Sequence, residues 1–87
     1  MDNANLTLIL MRAKLASLYS TERADKLFRD SMEFASEKFG YISAEMGLTV
    51  FEYASYLERS GKAAESEAFT QQYQEILIRL SIDHGIC

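Results

Sequence analysis

The 87 residues have room for one domain, and a chain this short buries only roughly 60% of the surface that its unfolded form exposes. Thirteen acidic against nine basic residues give a net charge of −4 with no long run of either sign, which argues against nucleic acid as a partner, because phosphate binding needs a basic patch. The absence of proline, four glycines and a 48% hydrophobic content do not suit a many-stranded β fold or a disordered tail, so long helices are the expected elements.

The first helix is expected from about Leu6 to Ser20, capped by Asn3 or Asn5, and it is apolar on most of its circumference: Leu6, Leu8, Ile9, Leu10, Met11, Leu15, Leu18 and Tyr19. A helix of this kind needs cover on more than one side. Its apolar stretch, Leu6 to Met11, is too short to span a bilayer and follows Asp2 rather than a basic leader, so neither a signal peptide nor a membrane span is expected. The sequon Asn5-Leu6-Thr7 reads as a chance match.

Thr21 can cap a second helix that begins with Glu22 at its positive end and runs to Lys38 through Ala24, Leu27, Phe28, Ser31, Met32, Phe34 and Ala35, with Gly40 as a left-handed stop. Ser43, with Glu45 in the first turn, opens a third helix carrying Met46, Val50, Phe51, Tyr53, Ala54 and Leu57 up to Ser60-Gly61. The turn is short, so the neighbouring helices are expected to pack antiparallel. A fourth helix, from about Lys62 to Ile82, is expected to bury Ala64, Ala68, Phe69, Tyr73, Ile76, Leu77 and Leu80 and to turn Glu65, Glu67, Gln71, Gln74 and Glu75 to water, ending at Asp83-His84-Gly85.

The two halves follow one order of residues. In the second, Tyr53-Ala54, Leu57, Gly61, Glu65-Ser66-Glu67, Phe69 and Tyr73 stand at intervals that the first half echoes with Leu15-Ala16, Tyr19, Ala24, Leu27-Phe28, Ser31-Met32 and Phe39-Gly40. This pattern resembles the tetratricopeptide repeat, especially its kinesin-light-chain-like variety. There a small residue lets helix A approach its partner, a glycine ends that helix, and an acidic–small–acidic triplet begins the buried face of helix B. The first half departs from the pattern in its turn, where Tyr19 to Ala24 is about one helical turn shorter than Leu57 to Ser66 and the glycine is missing. The segment Phe39 to Glu45 resembles the connection between repeats, without the proline often found there.

The resemblance implies an all-α fold of four antiparallel helices in two helix-turn-helix repeats, about 6–40 and 43–82, within a single domain over 1–87. The rival reading is a generic four-helix bundle. By spacing, Ala16, Leu27, Ala54, Ser66, Phe69 and Tyr73 are packing positions.

Little in the chain favours catalysis. His84 is the single histidine and Cys87 the single cysteine, three apart; no Glu-x-x-His pair, metal-ligand set or phosphate loop is present, and no cofactor is expected. One cysteine forms no internal disulfide, which makes a reducing cytoplasm the natural compartment. The remaining function is partner binding. Because A helices line the groove of tetratricopeptide arrays, the resemblance implies Leu10, Ala13, Lys14 and Ser17 from the first A helix and Leu48, Phe51, Glu52, Ser55 and Arg59 from the second. Phe51 would anchor a peptide or partner protein, with Arg59 or Lys14 meeting a carboxylate; equally, Leu48 and Phe51 pack on the first helix pair. A second surface is the apolar end of the fourth helix, Ile76, Leu77, Ile78, Leu80 and Ile82, which has no polar cap; this end, or the apolar first helix, suits burial in a homodimer or larger assembly. The leading expectation is an adaptor or chaperone-like module; the alternative is a structural subunit with no groove function.

Overall fold

A computed structural model describes residues 2–18 and 21–83. Among the described residues every regular element is an α-helix: α1 Asp2–Ala16, α2 Thr21–Phe39, α3 Ala44–Arg59 and α4 Ala63–Asp83. The all-α class and the number of helices are therefore as the sequence predicts, while two boundaries move. α1 begins at Asp2, so Asn3 and Asn5 lie inside the helix and do not cap it. Neither glycine nor proline stands before Leu6 to stop the helix there, and Ala4 favours it. It also ends earlier than expected, at Ala16, where Ser17 N donates to Ala13 O and Leu18 N closes a tighter turn on Leu15 O. Thr21 is the first residue of α2 rather than a cap outside it.

The remaining punctuation is local chemistry. Gly40 takes φ +91° after α2. Ser43, in extended conformation, caps α3 by accepting a hydrogen bond from Met46 N at 3.0 Å. α3 closes in a Schellman motif, with Lys62 N on Leu57 O, Gly61 N on Glu58 O, and Gly61 at φ +82° where only glycine is unstrained.

The helices form two hairpins, α1 with α2 and α3 with α4, joined because α3 also lies on α2 and touches α1. Among the described residues the backbone of α4 approaches α3 alone. A closed bundle would bring α4 back to α1; here the molecule is an open slab measuring 42 × 32 × 15 Å. The core runs through it as a line of rings. Phe28 of α2 stacks on Tyr53 and Tyr56 of α3 at 5.5 and 5.0 Å, and Tyr53 meets Phe69 of α4 at 4.9 Å. Leu6, Leu10 and Ala13 of α1, with Ala24, Ala35, Val50, Leu57 and Ile76, fill the space on either side.

α3 and α4 cross closely because small residues meet there. Ser66 Oγ donates to Ala54 O at 2.8 Å, and a Cβ on Gly47 would lie 3.5 Å from Ile76 Cγ2. With only one neighbour, α4 covers only one face. Phe69, Tyr73 and Leu80 are half-buried and Ile76 is fully buried, whereas Ala64, Ala68 and Leu77, expected inside, are exposed. The predicted water-facing row Glu65, Glu67, Gln71, Gln74 and Glu75 is exposed. Buried Ser31 and Thr49 donate to the carbonyls one turn earlier, Leu27 O and Glu45 O, and no buried side-chain polar atom among the described residues lacks a partner.

The two glycines of the second hairpin should respond in opposite senses. Gly47 sits in ordinary helix with room for a methyl group at normal contact distance, so Gly47→Ala is expected to stabilise by about 0.5–1 kcal/mol. Gly61→Ala forces a side chain into the left-handed region and should cost about 1–2 kcal/mol. Urea midpoints that move in the same direction for both would contradict this account.

Candidate functional site

The groove expected from the A helices is divided in the structure. Leu10 and Ala13 are core residues at 5% and 0% exposure, beneath α2 and α3, and offer no surface to a partner. Lys14 Nζ lies 2.8 Å from Glu52 Oε2 and ties α1 to α3, a partly exposed pair worth at most about 1 kcal/mol. Lys14, half-buried Ser17 and exposed Arg59 share an open hollow of about 550 Å³ with Leu18, Tyr56 and Ser60.

Leu48, Phe51 and Ser55 face elsewhere. The ring of Phe51 lies 5.2 Å from that of Tyr73 on α4, so its neighbour is its own hairpin and not the first helix pair, and its outer side stays about half exposed, as does Leu48. The two side chains belong to a furrow along the α3–α4 junction. One hollow of about 220 Å³ is lined by Ala44, Gly47, Leu48, Phe51, Tyr73, Leu77 and Leu80. A second, of about 280 Å³, shares Phe51 and Tyr73 and continues past Ser55 and Glu58 to Thr70 and Gln74.

The predicted assembly patch on α4 also divides. Ile76, at 2% exposure, packs on Gly47 in the core, and Leu80 is half-buried, but Ile78 and Ile82 are exposed on the helix surface.

The apolar first helix, the other element expected to be buried against a partner, leaves one row open. Leu8, Met11, Leu15 and Leu18 lie exposed along the outer side of α1, at 49–74%. The signal was in the spacing, since intervals of three and four place these four residues in one row. The uniform apolarity of the helix hid which row would be covered.

Between α2 and α3 lies the most elaborate polar cluster. Tyr53 donates its hydroxyl to Asp25 Oδ1, and Arg29 Nε stands 2.8 Å from Asp25 Oδ2 and 3.3 Å from the Tyr53 oxygen. Burial, and then the hydrogen bond to Asp25, push the Tyr53 hydroxyl above its usual value, with Arg29 opposing. The proton is thus held on the phenol, and the cluster acts as a clamp that fixes α3 on α2.

Among the described residues no group of three or more histidine, cysteine, aspartate or glutamate side chains is placed to hold a metal ion, and His84 and Cys87 lie outside those residues. No helix among them is long and apolar enough to cross a membrane. Comparison with protein-family models, curated proteins and solved structures finds no match for this chain.

The clamp gives a pH dependence of definite sign. Since the folded chain binds the Tyr53 proton more tightly than the unfolded chain does, this contribution is complete below about pH 10 and is lost as pH rises through the raised folded value. Tyr53→Phe is expected to cost about 1.5 kcal/mol at neutral pH and to flatten the alkaline fall in stability. Denaturant titrations of both proteins between neutral and alkaline pH measure it; parallel curves would show that another group is responsible.

Proposed function

We propose that this chain is a protein-interaction module, a short array of the tetratricopeptide type that holds a partner polypeptide as an adaptor or chaperone-like protein does, without catalysing a reaction. The observation that carries this reading is the α3–α4 furrow, where half-exposed Leu48, Phe51 and Leu77 line an apolar channel bordered by Glu58, Thr70 and Gln74. An aromatic anchor beside a groove with a polar rim has the anatomy of a binding hot spot. Small residues at the α3–α4 crossing and the open order of the hairpins support the tetratricopeptide reading. The lone cysteine supports a reducing, cytoplasmic setting.

A second reading, that of a structural subunit, is favoured by Ile78 and Ile82, which stand exposed one turn apart near the end of α4. The two readings separate by substitution. Replacing Leu48 and Phe51 by serine should weaken capture of a partner from the cells that make this protein by at least about tenfold, with helical circular dichroism unchanged. Replacing Ile78 and Ile82 by serine should leave capture intact. The reverse pattern assigns the function to the end of α4, and capture unaffected by either pair would overturn both readings.

A further inference from the structure

The exposed stripe on α1 and the furrow between α3 and α4 are related through the internal repeat. Aligning Leu15-Ala16 with Tyr53-Ala54 sets Leu8, Met11, Leu15 and Leu18 of α1 at the positions held in α3 by Met46, Thr49, Tyr53 and Tyr56. Those four α3 residues are all at most 2% exposed, and the two tyrosines rest on Phe28 of the preceding helix, α2. Among the described residues no helix lies over the α1 row. The opposite edge shows the converse. Leu10 and Ala13 are buried, with α3 lying beside α1, while their equivalents Leu48 and Phe51 are half-exposed because no A helix follows α3. Each edge lacks the neighbour that the other edge can supply.

We infer that two copies of this chain join head to tail, the α1 stripe of one lying in the α3–α4 furrow of the other, as α3 lies on α1 and α2 within each copy. This rests on the interaction-module reading and names its partner as a second copy. Charge supports it. α1 carries Arg12 and Lys14 against Asp2, a net charge of +1 in a chain of net charge −4. The receiving furrow is bordered by the exposed Glu58 of α3. Lys14 is aligned with Glu52, so an incoming Lys14 would approach the carboxylate that already holds the receiving copy's own Lys14 at 2.8 Å, and one Glu52 would stand between two lysines. A symmetric pairing of α1 with α1 would instead set Arg12 and Lys14 against one another. Thr70 and Gln74 stand where α2 carries Phe28 and Met32, which makes the joint less apolar than its internal counterpart and therefore reversible.

Such a contact is heterologous and leaves one stripe and one furrow free, so growth continues past the dimer. Sedimentation equilibrium of the full chain, kept reduced so that Cys87 forms no cross-link, should show a mass that rises beyond two copies between roughly 10 µM and 1 mM. Leu15→Glu removes the stripe and Phe51→Glu the furrow, both at sites at least 47% exposed, and each variant alone should be monomeric. Mixed in equal amounts they retain one good stripe and one good furrow, and should form a one-to-one dimer and nothing larger. Met11→Glu with Leu48→Glu repeats the test should either first choice lose its helical circular dichroism. Stacking is overturned by a wild type that stays monomeric, by variants that keep the wild-type mass, or by a mixture that fails to pair. A monomeric wild type leaves the furrow open to a different protein, and the capture experiment with Leu48 and Phe51 then judges the broader reading separately.

Discussion

Tyr53 occupies the point where all the layers of the molecule meet. Its ring touches Phe28 of α2 and Phe69 of α4, and its hydroxyl reaches Asp25, so one side chain links three helices through both apolar and polar contacts. Around it α3 buries Met46, Gly47, Thr49, Val50, Ala54, Tyr56 and Leu57, leaving little but Leu48, Phe51, Glu58 and Arg59 open to water. Polar groups inside such an enclosure need partners within the protein. The serine and threonine near it satisfy their hydroxyls on backbone carbonyls, so packing is kept without orphaned polar atoms.

The outer helices are subject to a weaker constraint. Among the described residues α4 has α3 as its only backbone neighbour, and α1 leans chiefly on α2. Stability in such a one-dimensional arrangement is a sum of neighbouring joints, and each edge is missing one joint. The exposed leucines of α1 and the exposed isoleucines of α4 are the sequence record of that deficit, because an ordinary monomer keeps contiguous apolar patches small. Uniform apolarity in α1 thus reflects a helix built for cover on two sides, of which the chain itself provides one.

What could be read from the sequence was what local chemistry decides. The Ser43 cap, the left-handed glycines at 40 and 61, the buried row of α2 and the solvated row of α4 depend on residues within one or two turns, and each stands where the spacing places it. Burial that depends on the number of neighbours was not legible. Leu10 and Leu8 have the same character, yet one is core and the other surface, because only the position of α3 tells them apart. Ile76 looks like Ile78 in the sequence, but it packs beside Gly47 of α3 while Ile78 is exposed. Phe51 could be assigned to the first helix pair or to a partner; its observed ring neighbour is Tyr73, twenty-two residues on in its own hairpin.

Binding and folding are coupled in a molecule of this shape. A polypeptide that enters the furrow supplies the neighbour that α3 and α4 lack, and contacts both helices at once across Phe51 and Tyr73. Since such a ligand has no comparable site on the unfolded chain, its binding free energy adds to the stability of the hairpin that forms the site. The same holds at the other edge, where cover over Leu8, Met11, Leu15 and Leu18 would secure α1, whose remaining anchors are Leu6, Leu10, Ala13 and the exposed Lys14–Glu52 pair. On the proposed reading the small core is part of the recognition chemistry, since a partner on either edge would bring support for the exposed residues as well as an interface.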